Sequence, residues 1–287
     1  MKHGLPDGFT PLLAPLALVT AFCIRRLSRA DLGWELHATA QGVLGARGGA
    51  RLSAALLAAT RLGVGCFIAW STHWKVLSAG ATVRLSTAHG ATLPLTGALA
   101  MCTFTMWCWN LQGLYFLATG SLGLARLLLG AEMFDPLLPQ GVYKALWLLF
   151  EQGFCCSLLV FFVVWLVLIP VTGLIKNPVQ RRQMVSSFYT WFTLSAHNLN
   201  VVFMLGELLA NELTFHQQHR LFIVLFSVAY VLFAWGLFLE HGLWFYFFLE
   251  PRQKPWSPLV YMGLMAVLLG FFQVGYTVSH ALKPQME

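Results

Sequence analysis

Two residues on separate apolar stretches, Thr105 and His197, have the side chains for nucleophilic chemistry, and each stands on a polar stripe. At about 100° per residue, steps of roughly 3, 4, 7, 10 and 14 keep to one side of a helix. Counted from His197, that side collects Thr190, Thr193, Asn200, Met204, Glu207 and Asn211. A second stripe repeats at heptad spacing through Thr105, Gln112 and Thr119, with Trp109 close to its line, and a third carries Gln273, Thr277 and His280. A hydroxyl beside an imidazole is the smallest nucleophile and base pair: the ring takes the proton as oxygen attacks an acyl carbon, then returns it to the leaving group. The same residues also serve as interhelical glue, with the threonine bonded back to its own helix and the histidine paired to a neighbour. Spacing alone leaves that structural reading ahead.

Other polar groups carry less. His216 and His219 in "HQQH" have helical spacing but no evident third ligand, so they read as surface polarity and not as a metal site. Glu240 and His241 suit a helix end, and "GLWFYFFLE" reads as an aromatic belt at an interface. Cys23, Cys66, Cys102, Cys108, Cys155 and Cys156 lie in apolar text without metal-ligand spacing and read as reduced small hydrophobes, with no disulfide framework. No cofactor or nucleotide motif is present.

The elements that must position these groups are membrane helices. The 287 residues are 58% hydrophobic and 10% charged, against about one quarter charged in a soluble domain. The expected fold is all-α and integral to a membrane: a six-helix bundle with spans near 54–71, 98–124, 150–175, 186–209, 221–240 and 257–281. Breakers separate them: Gly90 and Pro94, Pro136 and Pro139, Asn177 and Pro178, then Pro251, Pro255 and Pro258. Residues 1–53 form an N-terminal extension whose apolar run 9–24 adds an interfacial or seventh helix, followed by a Gly- and Arg-rich loop or linker; residues 54–287 hold the six-span domain.

The net charge of +7 comes from scattered Lys and Arg, which read as helix-end anchors and topology signals, not as a nucleic-acid surface. With both ends of the core in the cytosol, the cytosolic side carries a thin excess, Arg61 and Arg126 included. Thr105 and His197 then lie roughly 14 to 17 Å from the starts of spans that enter from the same side, so they can meet near the bilayer midplane.

The stretches "HNLNVVFMLGELL" and "AYVLFAWGLFLEHGLWFYFFLE" resemble the androgen-induced protein family of multi-span membrane threonine hydrolases, which includes the androgen-dependent TFPI-regulating protein. The likeness runs over about 54–281. It rests on His197 ten residues before Glu207, on Thr105 seven before Gln112, and on Tyr230, Gly242, Trp244, Tyr246, Leu249 and Glu250. The tryptophan-rich "FTMWCWNLQGLYF" is closer to the related rolling-stone-like membrane proteins. The resemblance implies an intramembrane hydrolase of lipid esters, specifically fatty acid esters of hydroxy fatty acids, with Thr105 as nucleophile and His197 as base.

In that reading Asn200 orients the site or donates to the oxyanion, Glu207 tunes the polar interior without joining His197 in a triad, and Gln112 supports the pocket. Trp107, Trp109 and Tyr115 line an acyl tunnel. No cofactor or metal is called for; the partners are a lipid ester and membrane lipids, in the endoplasmic reticulum or another endomembrane. The contrasting expectation is a non-enzymatic membrane protein of adhesion, fusion or complex assembly. A transporter is the weakest fit, because no pair of repeats is evident.

Overall fold

Threonine caps at Thr103 and Thr190 start two of the helices, whereas most of the long apolar helices begin without a side-chain cap. In the computed structural model, which describes residues 9–74, 76, 84–86, 92–250 and 256–283, the chain is mostly helical. The helices α1 (Thr10–Leu27), α2 (Trp34–His37), α3 (Ala40–Leu44) and α4 (Arg51–His73) precede a short hairpin of β1 (Arg84–Ser86) and β2 (Thr92–Pro94), paired antiparallel with Leu85 opposite Leu93. Then come α5 (Gly97–Met101), α6 (Phe104–Leu129), α7 (Ala131–Phe134) and α8 (Gln140–Val163), the last continuing through a π turn at Val164–Leu168 into α9 (Ile169–Thr172). After α10 (Pro178–Phe188), the run α11 (Trp191–Leu194), a second π turn (Ser195–Leu199) and α12 (Asn200–Ala210) is continuous; α13 (Arg220–His241) and α14 (Ser257–Leu282) complete the chain.

Among the described residues, four helical runs are long and apolar enough to cross a membrane: Arg51–His73, Gln140–Thr172, Gln217–His241 and Ser257–Leu282. A fifth is counted if α6 and the segment Ala131–Leu137, bent by 118°, form one span. The fourth expected span, which carries the polar stripe, is not among them. The breakers Gly90, Pro251 and Pro255 lie outside the described residues.

Three sequence expectations change. The second expected span is broken: α5 ends at Met101, and α6 starts afresh where the Thr103 hydroxyl accepts from the Met106 amide at 3.3 Å. Thr105 is therefore in the first turn of α6, not deep within a helix. The Gly- and Arg-rich segment is no open linker, since Ala38, Ala40, Val43 and Leu44 are buried in the main core and the Arg47 amide bonds the Ala210 carbonyl at 2.8 Å. The stripe of the last helix points the wrong way: Gln273 and Thr277 are exposed, whereas Leu268, Phe272, Gly275 and Ser279 face inward.

Packing is tightest between α4 and α6. A Cβ added at Gly120 would lie 2.7 Å from the Leu62 amide nitrogen, and one at Gly65 would lie 2.7 Å from that of Leu117. Small residues here let two backbones touch, as at many membrane helix interfaces. Outside this core, α1 leans on α13, with Phe9 edge-on to Trp235 at 4.7 Å and Cys23 among Leu221, Val224 and Val228.

Arg61, expected as a charge on a helix end, is wholly buried in the middle of α4. Its Nε donates to Glu207 at 3.1 and 3.2 Å, and its Nη1 donates to the Leu44 carbonyl at 3.3 Å. Glu207 Oε1 also accepts from the Tyr115 hydroxyl at 2.7 Å and from Asn211 Nδ2 at 3.1 Å. Removing one partner of a buried pair strands the other charge, at a cost of about 3–5 kcal/mol. Arg61→Met is expected to lower stability by an amount in that range, and adding Glu207→Leu to recover part of it. Thermal unfolding of the purified proteins in detergent reads both; an unchanged midpoint for the single variant would contradict the assignment.

Candidate functional site

Two helix starts converge to make the site. The Thr103 cap sets the first turn of α6 and exposes the Thr105 side chain; the Thr190 hydroxyl likewise accepts from the Thr193 amide at 3.3 Å and starts α11. Four residues beyond Trp191 the helix widens into the π turn that holds His197. Such one-turn bulges carry an extra residue and re-aim side chains, often at functional sites. The π turn of α8 lies beside it, next to Pro170, whose missing amide hydrogen interrupts the helical ladder. The two wide turns are joined by Trp165 Nε1, which donates to Asn198 Oδ1 at 2.7 Å.

Thr105 Oγ1 and His197 Nε2 are 3.3 Å apart. A nucleophile and base sit within about 2.6–3.2 Å when engaged, and commonly a little farther apart without substrate. The other ring nitrogen, Nδ1, is buried and has no hydrogen-bond partner among the described residues. The tautomer that frees Nε2 to accept a proton therefore leaves an N–H at Nδ1 unpaired, which costs about 1–3 kcal/mol. His197 is held by the shape of its turn and not by a carboxylate.

Thr105 also lines an apolar cavity of about 470 Å³. Its walls come from α1, α8, α13 and α14, with Leu16, Leu159, Val163, Val231, Leu264 and Leu268 among them. His197 does not line this space, so the threonine hydroxyl stands between the imidazole and the cavity.

Sequence reasoning named Tyr246 only as part of a resemblance, yet it lines the same cavity as Thr105, and its phenol stands beside Thr105 at the start of α6. Burial pushes its phenol up to about 12, so the hydroxyl keeps its proton at neutral pH. Its segment is anchored. Trp244 stacks on Phe238 at 4.8 Å, Tyr246 on Phe248 at 5.4 Å, and the Leu249 carbonyl accepts from the Tyr261 hydroxyl.

The remaining expected site residues are placed elsewhere. Asn200 is buried with its Oδ1 on the Val201 amide at 2.7 Å, Gln112 Nε2 donates to the Gly153 carbonyl at 3.2 Å, and Glu207 is committed to Arg61 and Tyr115. Trp109 donates to Ser71 Oγ at 3.0 Å within the α4–α6 contact and is not among the residues lining this cavity; Trp107 packs on Tyr230 and Phe233.

His219 departs from its expected surface role. It is fully buried, with Nδ1 2.8 Å from Glu151 Oε2 and Nε2 2.9 Å from the Leu32 carbonyl. No group of three or more metal-ligating side chains occurs among the described residues. Arg61 and Glu151 were missed because isolated charges in apolar text give no hint of a partner far along the chain.

A scan against protein-family models finds no match to the chain, and comparison with curated proteins and with solved structures likewise finds none.

Because Trp109 is tied to Ser71, Trp109→Phe is expected to cost about 1 kcal/mol through the lost hydrogen bond. Thermal unfolding in detergent measures it; stability equal to wild type would rule out a structural role for that bond.

Proposed function

We propose that the protein is an intramembrane hydrolase of lipid esters in which Thr105 attacks the acyl carbon and His197 serves as base and then acid. The observation that carries this reading is the 3.3 Å approach of Thr105 Oγ1 to His197 Nε2 at the wall of an apolar cavity. Long-chain fatty acid esters, including those of hydroxy fatty acids, have the right chemistry, because the space beside the hydroxyl is walled mostly by apolar side chains. In this reading the polar run 191–210 crosses as one of six spans and the protein resides in an internal membrane such as the endoplasmic reticulum.

The steps follow from the groups present. As the threonine oxygen bonds the acyl carbon, its proton passes to Nε2 and the carbonyl electron pair moves onto oxygen. Collapse breaks the ester C–O bond, and the imidazolium protonates the departing alcohol. Water then attacks the acyl-threonine with the same imidazole as base, releasing the fatty acid and restoring the hydroxyl. The resting hydroxyl needs that base, because an alcohol is a weak nucleophile while it keeps its proton.

Membranes carrying wild type, Thr105→Ala or His197→Ala at equal expression are to be compared on umbelliferyl palmitate and on a branched fatty acid ester of a hydroxy fatty acid. Turnover is expected from wild type alone, with both variants at the level of empty membranes. Wild type no better than empty membranes would favour the non-enzymatic reading, in which the pair only ties helices together.

Leu16 of α1 lines the acyl space. Leu16→Trp is expected to narrow it and shift the preferred chain towards shorter acyl groups by two or more carbons, on the order of one to three kcal/mol per excluded group. A series of umbelliferyl esters of increasing chain length measures the shift; an unchanged profile would place the acyl group elsewhere.

A further inference from the structure

We infer that Tyr246 is a third catalytic residue of this site, its hydroxyl donating to the oxygen that gains negative charge when Thr105 attacks an ester; this rests on the reading of Thr105 and His197 as nucleophile and base.

The position of Tyr246 supports the assignment. Its phenol stands beside Thr105, and both residues line the acyl cavity, whereas His197 approaches Thr105 without lining that space. An ester carbon within bonding reach of Thr105 Oγ1 must enter from the cavity, and its carbonyl oxygen then lies among the groups that border both the cavity and the threonine. Tyr246 is such a group and carries a proton to offer.

Its surroundings suit that role. Amides in the first turn of a helix have no carbonyl partner within it, and the phenol stands beside those of Phe104 and Thr105. A phenolic oxygen that accepts from such an amide keeps its hydrogen to donate. The expected alternative, Asn200, spends its Oδ1 on its own helix and does not border the cavity.

Tyr246 also has the rigidity this task requires. An oxyanion donor stabilises developing charge because it is already in place when the reaction occurs. The ring is stacked on Phe248, the adjoining Trp244 is stacked on Phe238, and the Leu249 amide bonds the Tyr246 carbonyl at 3.0 Å. No proton leaves Tyr246 in the step: the hydroxyl hydrogen-bonds the oxyanion while the electron pair resides there, and that pair returns to the carbonyl as the C–O bond to the alcohol breaks.

The test is steady-state hydrolysis of umbelliferyl palmitate by the purified full-length protein in detergent, with folding followed by gel filtration. Removing one such donor lowers kcat by about 10²–10³-fold. Tyr246→Phe is therefore expected to reduce kcat by that factor with KM within about twofold of wild type, whereas a residue that only shapes the cavity would move KM. Full kcat in Tyr246→Phe, alongside inactive Thr105→Ala and His197→Ala, overturns the role of Tyr246 and leaves the threonine–histidine reading standing. Turnover that survives Thr105→Ala, or is missing in wild type, overturns both.

If Tyr246→Phe does not fold, Tyr246→difluorotyrosine keeps the ring and makes the hydroxyl more acidic. The alkaline limb of its pH–rate profile is expected to move to lower pH, as the donor loses its proton sooner. A profile identical to wild type overturns the assignment.

Discussion

The buried ion pair between Arg61 and Glu207 is the constraint on which the rest of the arrangement depends. Two charges removed from water cost several kcal/mol each unless their hydrogen-bonding capacity is filled. Here α4 supplies the cation, α12 the anion, α6 the Tyr115 hydroxyl, and the end of α3 the Leu44 carbonyl. Four parts of the chain must meet at one point, and Lys283 extends the junction to α14 by donating to Asn211 Oδ1 at 2.8 Å.

That junction also sets the register of the candidate site. Tyr115 and Glu207 are 92 residues apart in sequence, and so are Thr105 and His197. Helices α6 and α12 run in the same direction, so the contact fixed at the ion pair recurs ten residues earlier, about 15 Å along the helices. A shift of one helix past the other would break the Glu207 network and separate the threonine from the imidazole together. The residues that secure the bundle and those proposed to act on substrate thus share one alignment while standing at different levels of it.

The two levels differ in polarity because they face different surroundings. Around Glu207 the carboxylate is matched to Arg61, Tyr115 and Asn211, and Arg61 also reaches the Leu44 carbonyl. Around Thr105 the matching is incomplete: Nδ1 of His197 is unpaired, and the cavity beside the hydroxyl is apolar. The N-terminal residues contribute at both levels, α1 as a wall of the cavity and the segment around Leu32 and Leu44 as a cover for buried polar groups. Their backbone carbonyls answer His219 and Arg61, and a flexible linker could not hold them there.

Composition and periodicity by themselves determined the mostly helical character and the presence of helices long and apolar enough to cross a membrane, because lipid admits only long apolar segments whose backbone bonds are satisfied internally. They also determined which faces of two helices turn inward: Gln112 and Thr119 on one, and Asn200, Glu207 and Asn211 on the other, are all buried. Tertiary structure decided the rest. The partner of Glu207 is Arg61, 146 residues away, and the break before Thr105 follows from a cap that moved the site to a helix start. The outward turn of Gln273 and Thr277 depends on which side of α14 its neighbours cover. Tyr246 reaches Thr105 only because the segment after α13 folds back across the start of α6. Helical periodicity reports which residues share a face; which faces meet, and at what level, is set by contacts between residues far apart in the chain.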